Sequence, residues 1–318
     1  MSLRVVAIGG GTGLSVLLYG LKRWEAEIAA VLTVGDDGGS SGRLRRELGL
    51  LPPGDFRSCL AALADDEALM TQLLQYRFGD GGLGGHALGN LLLAAMVDLT
   101  GSFEQAVLET TRVLNVRGRL LPSTLESVSV CAQVMDRDGN GDVPRTIRGE
   151  SLVGAAGPGI RRVFLEPGAP AAYPGAVKAI LAADLIVLGP GSLYTSVLPN
   201  LLVPGIAQAI RASGAQKVYV CNVAAQRGET HGYSVQDHAT AIVDHVGPGL
   251  FQYVLANDHW PEDNRVDYIR PAADVELDQA VLCADLVDED HPWRHHSLKL
   301  GRALADFLEV PVSEGADS

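Results

Sequence analysis

The stretch Leu3–Asp37, LRVVAIGGGTGLSVLLYGLKRWEAEIAAVLTVGDD, passes from one apolar run through a glycine turn and an amphipathic segment into a second apolar run. Leu3 to Ile8 reads as a strand, and about Leu14 to Trp24 as a helix with apolar residues at helical spacing. The second run, EIAAVLTVGD, lacks polar alternation, as strands do when both faces of their sheet are covered. Strand, helix and strand in that order predict a right-handed βαβ crossover and a parallel sheet.

The same grammar returns downstream. AVKAILAADLIVLGPGSLYTSVLPNLLVPGIAQAIRAS reads as helix, apolar strand to Leu188, glycine turn and helix, and KVYVCNV and LFQYVLAND read as further core strands. Helical patterns dominate from Phe56 to Leu114, broken by GDGGLGGHALGN. Between these halves, SVSVCAQVMDRDGNGDVPRTIRGESLV and RRVFLEP carry short β-prone runs around a polar turn. The turn imitates a calcium loop at Asp136, Asp138 and Asn140, but Ile147 stands where a bidentate Glu belongs, so a hairpin tip is expected. The fold class is therefore α/β: a Rossmann-like, mostly parallel sheet of six or so strands with helices on both faces and a small antiparallel β insertion. A single domain is expected over residues 1–304, with the insertion at about 122–166 and a fraying tail at 305–318.

Composition narrows the function. The 318 residues carry 25 Lys and Arg against 38 Asp and Glu, a net charge of −13, which opposes broad adhesion to nucleic acid or an anionic membrane. The four cysteines, Cys59, Cys131, Cys221 and Cys283, are widely spaced and set in apolar runs, as reduced core thiols are. With neither a signal-peptide pattern nor an apolar run of spanning length, a cytoplasmic protein is expected.

Parallel sheets bind ligands at the carboxyl ends of their strands, where three loops stand out. Gly10, Gly11, Thr12 and Gly13 offer backbone N–H groups where a helix begins, a setting that favours phosphate, although a tight βα turn alone has the same glycines. The spacing is neither G-x-G-x-x-G nor a Walker motif. In VGDDGGSSGRLRREL, Asp36 and Asp37 end a central strand, so one can face the crevice, on a ribose or Mg²⁺, while the other caps the loop. Gly39, Ser40 and Ser41 add backbone and hydroxyl donors, and Arg43 a cation for phosphate. Asp37 is the metal candidate. In LGPGSLYTS, Gly189, Pro190, Gly191, Ser192 and Thr195 read as a diphosphate cradle. Asn90 and Asn222 are candidate polar contacts, Asn90 equally a helix cap, and His86 is given no catalytic role.

Taken in order, GGGTGLS, TVGDDGGSSGRLRRELG, PPGDFRSCL, GGHALGNLLLAA, ADLIVLGPGSLYTSVLPNLLVPGI and KVYVCNVAAQRGETHGYSVQDH resemble the gluconeogenesis factor (YvcK-like) proteins. That family lies within the superfamily of 2-phospho-L-lactate transferase, CofD. The resemblance implies a Rossmann-like core and a bacterial protein linked to carbon metabolism, cell shape and cell-wall precursor supply. It implies a nucleotide-sugar ligand such as UDP-N-acetylglucosamine, Mg²⁺ as the metal to expect, no covalent cofactor, and partners among cell-wall precursor enzymes or a second copy of the chain. The alternatives carried forward are a Mg²⁺-dependent phosphotransferase resembling the CofD transferase and an NAD-binding protein.

Overall fold

The computed structural model describes residues 2–309, apart from 65–67, 139–140, 157–158 and 274. The first half runs β1 (Leu3–Gly9), α1 (Gly11–Leu21), β2 (Ala26–Leu32), α2 (Gly39–Leu48), α3 (Gly54–Leu63), α4 (Ala68–Gln75), α5 (Leu88–Thr100), α6 (Phe103–Val113) and β3 (Arg119–Pro122). An antiparallel sheet follows, with β4 (Ser129–Asp138) between β5 (Gly141–Arg148) and β6 (Ile160–Glu166), and α7 (Glu150–Val153) bridging its last two strands. This is the insertion expected near 122–166. The second half runs α8 (Pro174–Ala182), β7 (Leu185–Leu188), a π-helical turn (Leu193–Val197), α9 (Leu198–Leu201), α10 (Pro204–Ala212), β8 (Gln216–Val220), α11 (Val235–Val246), β9 (Tyr253–Asn257), β10 (Ala280–Ala284) and α12 (Ser297–Leu308).

The main sheet has seven strands in the order β10-β9-β8-β7-β1-β2-β3, all parallel. Strand order reverses between β1 and β7, where Val5–Ile8 pairs with Leu185–Leu188. Successive strand residues point to opposite faces, and every residue of β7 is buried, so helices cover both faces. One helical group packs α1 against α3 and α12, and another packs α8 against α10. The close approach of α1 to α12 runs through Gly20 and Gly301, where a Cβ on Gly20 would meet the backbone of Ser297.

Three differences from the sequence reading bear on function. Helix α1 starts at Gly11, not Leu14, so the glycine loop is itself the first helical turn. Strands β3 and β10 extend the sheet beyond the expected six; they are its two edges and only partly buried, so they lack the fully buried apolar run that marks an equally short central strand such as β7. Helix α12 continues to Leu308, past the boundary expected at 304, with Leu304 and Ala305 buried against the core. Asn140 of the calcium-like turn lies outside the described residues, as do residues 310–318 of the tail.

Candidate functional site

The reversal between β1 and β7 leaves a crevice beyond their carboxyl ends, the usual ligand position in an open α/β sheet. A cavity of about 680 Å³ opens there. Gly10, Gly11, Thr12 and Gly13 form one wall, Gly191, Ser192 and Ser196 another. Helix α1 opens on this space with no acidic side chain in its own first turn; the Gly11 N–H bonds the Asp55 carboxyl, and the N–H groups that follow have no intrahelical partner. Close packing explains the glycines: a Cβ on Gly13 would lie 2.6 Å from the Pro190 carbonyl oxygen, and one on Gly10 would lie 2.5 Å from Asp55 Oδ2.

The opposite turn is braced from behind. Asn222 Oδ1 accepts from Gly191 N at 3.2 Å while its Nδ2 donates to Gly191 O at 2.8 Å. Gln226 Nε2 donates to Ser192 Oγ at 2.7 Å. Glu229, 6% exposed, accepts from Tyr194 N at 3.1 Å and Thr195 Oγ1 at 3.0 Å, fixing the start of the π-helical turn. Burial raises the Glu229 carboxyl, against the lowering effect of its bonds from Tyr194, Thr195 and Ser192.

Carboxylates gather beside the glycine wall. Asp55, in the first turn of α3, is pushed up to about 7 by burial and then by the charge of Asp36, against the pull of the Gly11 N–H and Arg57. Glu150 lines the cavity from the antiparallel insertion and is raised well above the usual carboxylate range by burial, then by Asp55, Asp36, Asp37 and Glu229. Asp36 Oδ1 accepts from Gly38 N at 2.9 Å, and its Oδ2 lies against Gly54, where a Cβ would stand 2.8 Å away. Asp37 Oδ1 instead accepts from Ser151 N at 3.0 Å and anchors the insertion. Among the described residues, no three His, Cys, Asp or Glu are grouped so as to hold a metal ion.

The far side of the crevice is basic and aromatic. Arg227, Arg265 and Arg294 line it with Val266 and the half-exposed Trp293. His295, also at the wall, bonds through Nε2 to Cys221 O at 3.1 Å, and burial pushes its imidazole down to about 4.

Of the expected residues, Gly10, Gly11, Thr12, Gly13, Gly191, Ser192 and Asn222 meet at this cavity. Gly189, Pro190 and Thr195 stand behind it, shaping the turn. Asp36, Asp37, Gly39, Ser40, Ser41, Arg43 and Asn90 lie outside its lining. Ser40 Oγ is within 3.1 Å of His86 Nδ1 and accepts from Asn90 Nδ2 at 3.0 Å, all three side chains being buried. Arg43 donates to Gly84 O at 2.7 Å and so ties α2 to the glycine-rich loop before α5. Sequence reasoning missed Glu150, Arg227, Arg265, Trp293 and Arg294; for Trp293 and Arg294 the basic and aromatic cluster HPWRHH within an otherwise acidic segment was the available signal.

The family model described as 2-phospho-L-lactate transferase CofD matches residues 5–289. The gluconeogenesis factor of Bacillus subtilis (strain 168) is 44% identical over 318 residues, covering 96% of this chain and 98% of that protein. The chain belongs to the gluconeogenesis factor family of the CofD superfamily. The gluconeogenesis factor of Halalkalibacterium halodurans is 46% identical over 314 residues, covering 95% of each chain. The gluconeogenesis factor fold described above is shared with a crystallised UPF0052 family protein from Bacillus halodurans, at a TM-score of 0.88 and 44% identity, covering 96% of this chain and 99% of that one. No single helix among the described residues is long and apolar enough to cross a membrane.

Proposed function

We propose that this gluconeogenesis factor binds a nucleotide-sugar, with UDP-N-acetylglucosamine the leading ligand, and that the bound state regulates carbon metabolism, cell-wall precursor supply and cell shape through partner enzymes. One observation carries the reading. The N-terminus of α1 and the Gly191–Ser192 turn packed beside it both open on a cavity of about 680 Å³, a volume suited to a nucleotide-sized ligand. A diphosphate seated there would be held by backbone donors and the helix dipole, with Arg227 and Arg294 meeting its remaining charge, since Arg265 is paired with Asp263 through both carboxylate oxygens. Trp293 offers a flat apolar surface for a base.

The phosphotransferase reading draws on a different observation, the two carboxyl groups behind the glycine wall, Asp55 Oδ2 lying against Gly10 and Asp36 Oδ2 against Gly54. Mg²⁺ is commonly held by one or two carboxylates together with ligand phosphates and waters, so this pair fits the ion better than Asp37, which is bonded to the insertion. Bound there, Mg²⁺ would neutralise phosphate charge; the chain's own groups would position the diphosphate.

Calorimetric titration with UDP-N-acetylglucosamine, UDP, GDP and NAD, each with and without Mg²⁺, separates the readings when followed by chromatography of the mixtures. Selective UDP-sugar binding with intact ligand is expected. Mg²⁺-dependent consumption of a nucleotide would establish the transferase, and absence of nucleotide binding would overturn both.

A further inference from the structure

The antiparallel insertion reaches the crevice through one side chain. Glu150 opens α7, and its placement is fixed on both sides: Gly149 N donates to Val130 O at 2.8 Å, and Ser151 N donates to Asp37 Oδ1 at 3.0 Å. Gly149 adopts φ +112 and leaves no room for a Cβ beside the Asp37 carboxylate. Beyond α7, Gly154 packs against Gly228 and Glu229. The insertion thus touches the loop after β2 and the loop after β8, with Glu150 on the cavity wall between them.

Glu150 Oε2 is buried and has no hydrogen-bond partner among the described protein groups. Buried oxygens in folded proteins are nearly always paired, and leaving one unpaired is costly. Its acidic neighbours are Asp36, Asp37, Asp55 and Glu229, and Arg45, a cation that also feels its charge, directs its donors to Gly35 O, Ser127 Oγ and Val128 O. A carboxyl group held above its usual range keeps its proton and can donate as well as accept, while the acidic groups around it disfavour a phosphate. The ligand part that belongs here is therefore a neutral hydroxyl, which can pair in either direction, rather than an anion. On the nucleotide-sugar reading the diphosphate would sit at the α1 N-terminus and the base by Trp293, which would leave the hydroxyl-bearing group for the acidic side.

We propose that Glu150 hydrogen-bonds a hydroxyl of the sugar attached beyond the diphosphate, so that the antiparallel insertion reads which group the nucleotide carries. This inference rests on the nucleotide-sugar reading and assigns the insertion its part in it. Glu150 is then a specificity residue whose contribution belongs to the sugar and not to the nucleoside diphosphate.

UDP and UDP-N-acetylglucosamine are titrated against the full chain and its Glu150→Gln and Glu150→Ala variants, with thermal unfolding recorded for each. The expected result is a loss of UDP-N-acetylglucosamine affinity of roughly 3- to 10-fold in Glu150→Ala, as for a neutral hydrogen bond, with UDP affinity kept within about twofold. Glu150→Gln, which keeps the shape and an acceptor oxygen, should lose less. Equal loss for both probes would mean that Glu150 acts on the phosphates or on a cation, and unchanged affinity for both would remove it from the site; either overturns this inference alone. Failure of the parent chain to bind either probe would instead overturn the nucleotide-sugar reading and this inference with it.

Discussion

Asn222 holds Gly191 by both of its backbone polar groups, accepting from the N–H at 3.2 Å and donating to the carbonyl at 2.8 Å. An amide side chain that pairs with both the N–H and the C=O of one residue holds the two peptide planes that meet there, and Gly191 packs beside Gly10 at the start of α1. Asn222 is therefore a positioning residue for the cradle. Asn222→Ala should lower stability by about 1–3 kcal/mol through the unpaired Gly191 groups and weaken nucleotide binding about tenfold through the loosened turn. Urea unfolding alongside calorimetry checks both; an affinity loss without any stability loss would mean that Asn222 touches the ligand instead.

Gly13 faces the Pro190 carbonyl at a distance that leaves no space for a methyl group. Gly13→Ala must push β1's helix away from the β7 turn, and overpacking of this kind typically costs about 1–3 kcal/mol. The same displacement separates the two walls of the crevice, so nucleotide affinity should fall along with the unfolding midpoint. Helix propensity works in the opposite direction, since Ala is the better helix former by about 1 kcal/mol. A variant more stable than the parent would show that propensity outweighs the clash and that the contact is soft.

The uninterrupted apolar runs of β1, β2 and β7 made the parallel sheet legible, and the loops at their ends led directly to the crevice. The start of α1 was harder to read because glycine is a poor helix former, and its helical placement here follows from contacts with Pro190 and Asp55, far away in sequence. Arg43, Ser40 and Asn90 carry the chemistry expected of a phosphate site, yet they bond groups 41 to 50 residues distant in the chain. No local pattern announces such partners. Glu150 was hidden for a related reason: it sits at the end of an antiparallel insertion that reads as peripheral until the fold brings it against the glycine wall.

Asn90 Nδ2 donates to Ser40 Oγ at 3.0 Å inside a buried group that also includes His86. Such a network joins α2 to α5, and cutting it removes one partner of Ser40 Oγ, which keeps His86 Nδ1 and the Ala87 N–H. Asn90→Ala should cost about 0.5–1.5 kcal/mol of stability and leave nucleotide affinity within about twofold. A titration in which the variant loses affinity while its unfolding curve overlays the parent's would return Asn90 to the ligand site.

His295 binds its proton less readily in the folded protein, at about 4, than in the unfolded chain at 6.5, because burial disfavours the imidazolium more than the Cys221 carbonyl stabilises it. A depressed folded value means that the contribution of this residue is complete above pH 6.5 and is lost as pH falls toward 4. By pH 5 the loss amounts to about 2 kcal/mol. Asp55 pulls the other way, since its raised value of about 7 makes protonation favour the folded state as pH falls. That opposing trend is common to the parent and to His295→Gln, which retains an amide donor for Cys221 O but cannot titrate. Comparing the two proteins by urea unfolding at pH 7 and pH 5 isolates the histidine: the parent should lose about 2 kcal/mol more than the variant across that interval. Equal losses would show that His295 titrates alike in both states and that the crevice wall it belongs to is open to water.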